Sequence, residues 1–275
     1  MPVGPRVFPI QCKTLMTKSK IPSIDYTINP YLGCEHACRY CYATFMARFS
    51  DIKDPWGSFV GFKENAPEVL RKEIPRRAPG VVSFGSVCDA YQPLEERLEI
   101  TRSCLEAFTD EDGFEVGVVT KSDLVARDID VLSKLPCARV GFSFTTLDRE
   151  LAGAVEPHAP SPSRRLAAMR ELSMEGVTVW GFLAPVLPAI GDSEESIAEV
   201  FMAMEQAGAS QVLVDAMNPY PKVRASMRSF IARSHPGRLQ AYEAALRDHG
   251  GYLFGLSEQV AAAARSVDIE VEVLF

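Results

Sequence analysis

Three cysteines crowd into one short run, Asn29-Pro30-Tyr31-Leu32-Gly33-Cys34-Glu35-His36-Ala37-Cys38-Arg39-Tyr40-Cys41-Tyr42-Ala43, at the spacing C-x3-C-x2-C. Thiolates are the ligands that hold iron–sulfur clusters. Three of them on a cubane leave one iron without a protein ligand, and an open coordination position is where a small molecule can chelate, as at catalytic zinc. The same residues could instead build a structural zinc site with His36 as a fourth ligand. Zinc sites usually present two spaced pairs, whereas Cys12, Cys88, Cys104 and Cys137 stand singly. The loop therefore reads first as a cluster with an open corner and no auxiliary cluster. A non-catalytic iron–sulfur or zinc-binding module is the alternative.

Seven cysteines in all, three of them in one loop, fit metal binding in a reducing compartment better than a disulfide framework. Acidic side chains (36) outnumber basic ones (29), giving a formal net charge of -7. Proteins that grip nucleic acid mainly through its phosphates show the opposite balance. A generic nucleic-acid binder is disfavoured, though a local basic groove stays open. The opening MPVGPRVFPIQCKTLMTKSK carries prolines and scattered lysines but no apolar h-region, so no export signal is expected. Apolar runs fall far below the roughly 20 residues of a membrane span. The expectation is a cytoplasmic protein with no membrane partner.

The elements that must position the loop follow from the pattern of short β-type runs alternating with helical stretches. Strands are expected near Tyr26 to Tyr31, Val81 to Phe84, Val116 to Thr120, Arg139 to Phe144, Val177 to Leu183 and Gln211 to Asp215. Helices are expected from Leu94 to Phe108, Leu124 to Leu132, Arg164 to Met174 and Glu194 to Ala207, the third entered through a Pro- and Ser-rich loop. Alternating βα units argue for a parallel sheet with helices outside. The fold class is α/β, a partial (β/α)6 TIM-type barrel. Residues 1–225 form its core, and 226–275 form a small C-terminal appendage of helices ending in the alternating strand Asp268 to Val273.

Ligands of parallel barrels meet the loops at the carboxyl ends of the strands. Several unusual polar residues fall there. Cys104, Cys12 and Cys137 read as small packing residues. Glu156-Pro157-His158 and the pair Arg164-Arg165 read as surface or helix-start residues.

The motif C-x3-C-x-aromatic-C after a first strand, with βα units following to about Tyr220, resembles the radical S-adenosylmethionine superfamily. The stretch Gly33 to Ala43, the segment Cys88-Asp89-Ala90-Tyr91-Gln92-Pro93-Leu94-Glu95 and the pair Thr120-Lys121 look like its branch related to spore photoproduct lyase, which includes DNA repair photolyase-like proteins. The resemblance implies a [4Fe-4S] cluster on Cys34, Cys38 and Cys41 whose open iron chelates S-adenosylmethionine. Reductive cleavage of that cofactor would give a 5′-deoxyadenosyl radical that abstracts hydrogen from substrate. It also implies a reducing partner such as flavodoxin or ferredoxin.

Carried over by position, Tyr40 would lie near the adenine. Ser86 and Asp89, standing where relatives carry a Gly-Gly-Glu-type element, would accept from the cofactor ammonium. Lys121 would face its carboxylate, Ser143 a ribose hydroxyl, and Asn218 adenine or substrate. An ordinary solvated lysine and a ligand-free interior serine are the plain readings of Lys121 and Ser143. Cys88 with Tyr40 and Tyr42 is compatible with the relay that returns hydrogen in a lyase reaction, and Cys88 is otherwise a small buried filler. A small-molecule or peptide substrate fits the charge best, with nucleic acid left open.

Overall fold

The protein is described here by a computed structural model covering residues 4–49 and 52–275. Its strands are β1 (Arg6–Ile10), β2 (Thr17–Lys18), β3 (Tyr26–Ile28), β4 (Tyr31–Leu32), β5 (Phe59–Lys63), β6 (Val81–Phe84), β7 (Glu115–Thr120), β8 (Ala138–Phe144), β9 (Thr178–Val186), β10 (Gln211–Ala216) and β11 (Glu270–Val273). One sheet runs β11-β10-β9-β8-β7-β6-β3-β2. Every neighbouring pair from β3 through β11 is parallel, and β2 lies antiparallel on the β3 edge. Helices connect the successive strands from β6 onward, which makes this the partial α/β barrel expected.

The first expected strand proves to be two. Pro30 has no N–H to continue a ladder, and the chain leaves the barrel at Asn29-Pro30. Tyr31–Leu32 then pairs with β5 in a separate sheet ordered β1-β5-β4. Neither β1 nor β5 was apparent in the sequence pattern. This small sheet carries the backbone straight into the cysteine loop.

The helix expected from Leu94 to Phe108 breaks into Glu95–Leu98 and Ile100–Glu106 at Glu99, whose φ is 51°. The break turns the N–H groups of Thr101 and Arg102 onto the buried Glu95 carboxylate at 3.0 and 3.1 Å. Orphan donors of a helix start are thereby satisfied. The region around Leu124 to Leu132 is a 3-10 turn, Asp123–Asp128, followed by the short helix Ile129–Leu132. The Pro- and Ser-rich loop hides a further helix, Arg149–Val155, capped by Asp148.

Two apolar clusters hold these layers together. The larger includes Phe84, Val118, Phe142, Leu183 and Val214 from the sheet, with Leu172, Phe201 and Met204 from the helices. Burying each such side chain contributes about 1.5–3 kcal/mol. The smaller gathers Tyr40, Val155, Leu187 and Met217 with Val223, Met227, Phe230 and Tyr242.

The C-terminal region is tied in by both edges. The helix Pro221–Ser234 supplies Val223, Met227 and Phe230 to the smaller cluster, so the boundary expected at residue 225 falls inside one helix. The helix His249–Ala263 packs on Glu194–Gln206, and β11 adds a seventh parallel strand beside β10.

Candidate active site at the strand ends

The cysteine loop begins where β4 stops. Gly33 has a φ of 89°, and a Cβ there would meet the Phe59 carbonyl oxygen at 2.5 Å. Only glycine allows this turn. Gly85, just past β6, is in the same state: its φ is 91°, and a Cβ would lie 2.7 Å from the Val119 carbonyl. Both loops are thus pressed against neighbouring backbone.

The Asp89-Ala90-Tyr91-Gln92-Pro93-Leu94-Glu95 segment clamps the cysteine loop. The Gln92 side chain accepts from Glu35 N at 2.9 Å and donates to the Gly33 carbonyl at 3.4 Å. Leu94 N donates to the Glu35 carboxylate at 2.6 Å, and Tyr31 OH donates to Glu95. Asp89 faces His36 Nδ1 at 3.3 Å while accepting from Thr120 Oγ1 (2.7 Å), Lys121 N (2.7 Å) and Tyr91 N (2.9 Å). Burial opposes the Asp89 charge, but His36 and these donors prevail and hold the carboxyl well below its usual range. With both oxygens engaged this way, Asp89 braces the loop, and the ammonium contact expected of it has little acceptor capacity left.

A second buried network lies under Tyr40. Tyr40 OH donates to Glu156 and sits 3.1 Å from Thr145 Oγ1, which is itself 2.6 Å from Glu156. Arg165 donates to the other Glu156 oxygen, to the Ser143 carbonyl at 2.9 Å and to the Pro160 carbonyl at 2.9 Å. The sequence pattern puts Glu156 and Arg165 at the surface or at a helix start. Both are buried, and each satisfies the other's charge. Burial works against the Glu156 charge, yet Arg165 and Lys121 hold its carboxyl down at about 2. His158 and Arg164 are exposed, as expected of them.

Lys121 stands over this network, its Nζ 5.7 Å from the Tyr40 ring centroid. Among the described residues it makes no ion pair. It does act on Glu156, Cys38 and Cys41, lowering the pKa of each. Burial pushes the Cys38 thiol well up and the Cys41 thiol up to about 12. Such thiols give up their protons only as a metal takes their place.

The remaining expected residues surround this centre. Asn29 donates to Ser86 Oγ at 2.9 Å and accepts from Val87 N at 3.0 Å and from the Cys88 thiol at 3.6 Å. Cys88 is 7% exposed, and burial and then Cys34 raise its pKa. Tyr42 OH donates to the Ser86 carbonyl. Desolvation, then Cys41, Asp215, Cys88 and Tyr220, push that phenol up to about 12. Ser143 is buried within β8. Asn218 is exposed just beyond β10. Tyr40 engages Glu156 and Thr145 through its hydroxyl, whereas the Tyr42 hydroxyl meets the Ser86 carbonyl.

Whether a cluster suits this loop can be asked of the buried polar atoms around it. His36 Nε2 and Trp56 Nε1 are buried with no partner at hydrogen-bond distance among the described residues. The Cys34 side chain acts on the His36 ring, and Trp56 acts on Cys41. Buried N–H groups normally find an acceptor, and cluster sulfurs are acceptors. The donor set fits.

A family model described as the radical SAM superfamily matches residues 28–228. The chain belongs to the radical SAM superfamily. An uncharacterized protein of Methanocaldococcus jannaschii is 35% identical over 193 residues, 70% of this chain and 72% of that one. An uncharacterized protein of Mycobacterium tuberculosis is 31% identical over 258 residues, 89% of this chain and 74% of that one. Among solved structures, a spore photoproduct lyase variant with bound AdoMet and dinucleoside spore photoproduct superposes with a TM-score of 0.73 at 18% identity, covering 98% of this chain and 81% of that chain. The lyase complexed with dinucleoside spore photoproduct gives 0.72 at 19% identity, covering 98% and 82%. That likeness establishes the radical SAM partial barrel. Among the described residues no helix is long and apolar enough to cross a membrane.

Proposed function

We propose that this radical SAM protein holds a [4Fe-4S] cluster on Cys34, Cys38 and Cys41 and starts a hydrogen abstraction on a substrate bound over the carboxyl ends of β6 to β10. The observation that carries this reading is the convergence of the three-cysteine loop with Lys121, a half-buried cation that has no ion pair among the described residues and acts on two of those cysteines. A cluster and S-adenosylmethionine bound together supply reductive cleavage of the cofactor's sulfur–carbon bond, and so a carbon radical able to take hydrogen from a substrate.

The chain's residues do the positioning. Lys121 binds the cofactor carboxylate, where a charge-assisted bond is strengthened by shielding from water. Ser86 and the backbone turned by Gly85 meet its ammonium end, in place of the spent Asp89 carboxylate. The Tyr40 ring, locked by Glu156, forms an apolar wall for the adenine, with Ser143 and Asn218 as polar contacts further along the strand ends. Cys88 can surrender the hydrogen of its S–H to a carbon radical, and Tyr42, whose phenol feels Cys88, can return a hydrogen to the thiyl radical so formed, the tyrosyl radical then taking an electron from the donor and a proton from solvent. The electron comes from a flavodoxin- or ferredoxin-type donor.

An acidic chain of net charge -7 suits a small-molecule or peptide substrate. A lyase reaction on nucleic acid is the second reading, favoured by the dinucleoside bound in the spore photoproduct lyase structures. Anaerobic reconstitution tests the function. The protein should turn brown, bind about four irons per chain, and on reduction convert S-adenosylmethionine to methionine and 5′-deoxyadenosine. A colourless zinc-loaded protein that forms no 5′-deoxyadenosine would refute it.

A further inference from the structure

We propose that His36 is a hydrogen-bond donor to the iron–sulfur cluster and raises its reduction potential, an inference that rests on the cluster reading of the cysteine loop. His36 lies between Cys34 and Cys38 and is only 1% exposed. Its Nδ1 faces Asp89 Oδ2 at 3.3 Å. That carboxylate cannot swing away, because Thr120 Oγ1, Lys121 N and Tyr91 N all donate to it at 2.7 to 2.9 Å. The ring is therefore fixed in orientation from behind, as outer-shell carboxylates fix histidines at metal centres.

The other ring nitrogen, Nε2, is buried and meets no acceptor at hydrogen-bond distance among the described residues. Cys34 interacts with the same ring, so the acceptor at hand is a cluster sulfur or the Cys34 thiolate. Trp56 repeats the arrangement at the other end of the motif. Its indole N–H is likewise buried with no partner at hydrogen-bond distance among the described residues, and it acts on Cys41. Hydrogen bonds to the sulfurs are one of the levers that set cluster potentials. They favour the more negative, reduced cluster, so removing one makes reduction harder.

An imidazole backed by a carboxylate can also ligate metal directly. Ligation of iron by His36 would fill the corner on which the proposed function depends, and this separates the two roles.

The reconstituted full-length protein, with uniformly 15N-labelled histidine, provides the test. Pulsed electron paramagnetic resonance of the reduced wild-type cluster should give a weak 15N coupling that His36→Leu abolishes. At a fixed poise, His36→Leu should lower the ratio of reduced to oxidised cluster about tenfold, a shift of ~59 mV for one electron. His36→Gln, which can still present an N–H, should recover most of the loss, and Trp56→Phe should move the ratio the same way by less.

No 15N coupling in the wild type would turn Nε2 toward the groove behind the loop, lined by Ser122, Pro157 and His158, and overturn the proposal. A coupling as large as direct iron–nitrogen ligation would overturn it in favour of a fourth ligand. An unchanged ratio in a cluster-loaded His36→Leu protein would do the same for the effect on potential. Failure of the wild type to assemble a cluster would instead overturn the reading of the loop itself.

Discussion

The two sides of the barrel mouth are built on opposite principles. Around the ends of β3, β6, β7 and β8, four buried carboxylates are matched to partners: Asp89 to His36, Glu95 to Tyr31 and Arg127, Asp128 to Arg102 and Arg127, and Glu156 to Arg165. Beyond β10 the mouth carries the exposed Asn218, the half-exposed Tyr220 and the partly buried Asp215, whose pKa burial raises. Buried charges cost free energy unless fully paired, so such a concentration on one side marks where geometry is fixed. Chemistry that radical SAM proteins share needs a rigid first layer supported from behind. Substrate contacts can vary with the chain and sit where side chains are free to change.

The most damaging way to break the fixed side is to remove its ligands. Cys34→Ala, Cys38→Ala and Cys41→Ala should each lose the cluster's absorbance and all cleavage of S-adenosylmethionine, whereas His36→Ala should keep a cluster. A cluster retained in full by any of the three cysteine variants would sink the ligand assignment.

Next in size is the buried pair beneath Tyr40. Glu156→Gln leaves Arg165 charged and uncompensated, and should destabilise the protein by about 3–5 kcal/mol, read by denaturant unfolding of the cluster-free protein. The pH dependence has a definite sign. Glu156 is held at about 2 in the fold, below its unfolded value of about 4.3. Its stabilisation is complete above roughly pH 4.3 and fades as pH falls toward 2. The Gln variant should lack that part of the acid dependence.

Lys121→Met should act on the cofactor and spare the fold. Losing one charge-assisted bond of about 1.5–3 kcal/mol weakens S-adenosylmethionine binding tenfold or more, measured by titrating the cluster's spectrum. An unchanged affinity would return Lys121 to an ordinary role. The smallest effects belong to the open side, where Asn218→Ala and Tyr220→Ala should change stability by no more than about 0.5 kcal/mol.

The same contrast explains what the sequence disclosed. The cysteine spacing and the alternating runs Val81–Phe84 and Val116–Thr120 were legible because ligand spacing and strand period are local properties. The roles of Glu156 and Arg165 were not. A charged residue beside Pro157 looks like surface until a residue nine positions away is known to face it, and only tertiary packing brings Tyr40 to the same carboxylate. Asp89 stands out by its place after a strand, but its bracing contacts were not legible, because His36 and the pair Thr120-Lys121 belong to two other segments. Pro30 was the available sign that the first strand would divide. The Glu99 break had none, because its cause is the buried carboxylate of Glu95 four residues back.

The claim on which everything else depends is that the three-cysteine loop leaves one iron open to the cofactor. Electron paramagnetic resonance of the reduced, reconstituted protein, recorded with and without S-adenosylmethionine, tests it directly. The account predicts a [4Fe-4S] signal whose g-values shift when the cofactor is added, and a smaller shift at equal cofactor concentration in Lys121→Met. A signal identical in both states, or zinc in place of iron, would contradict it.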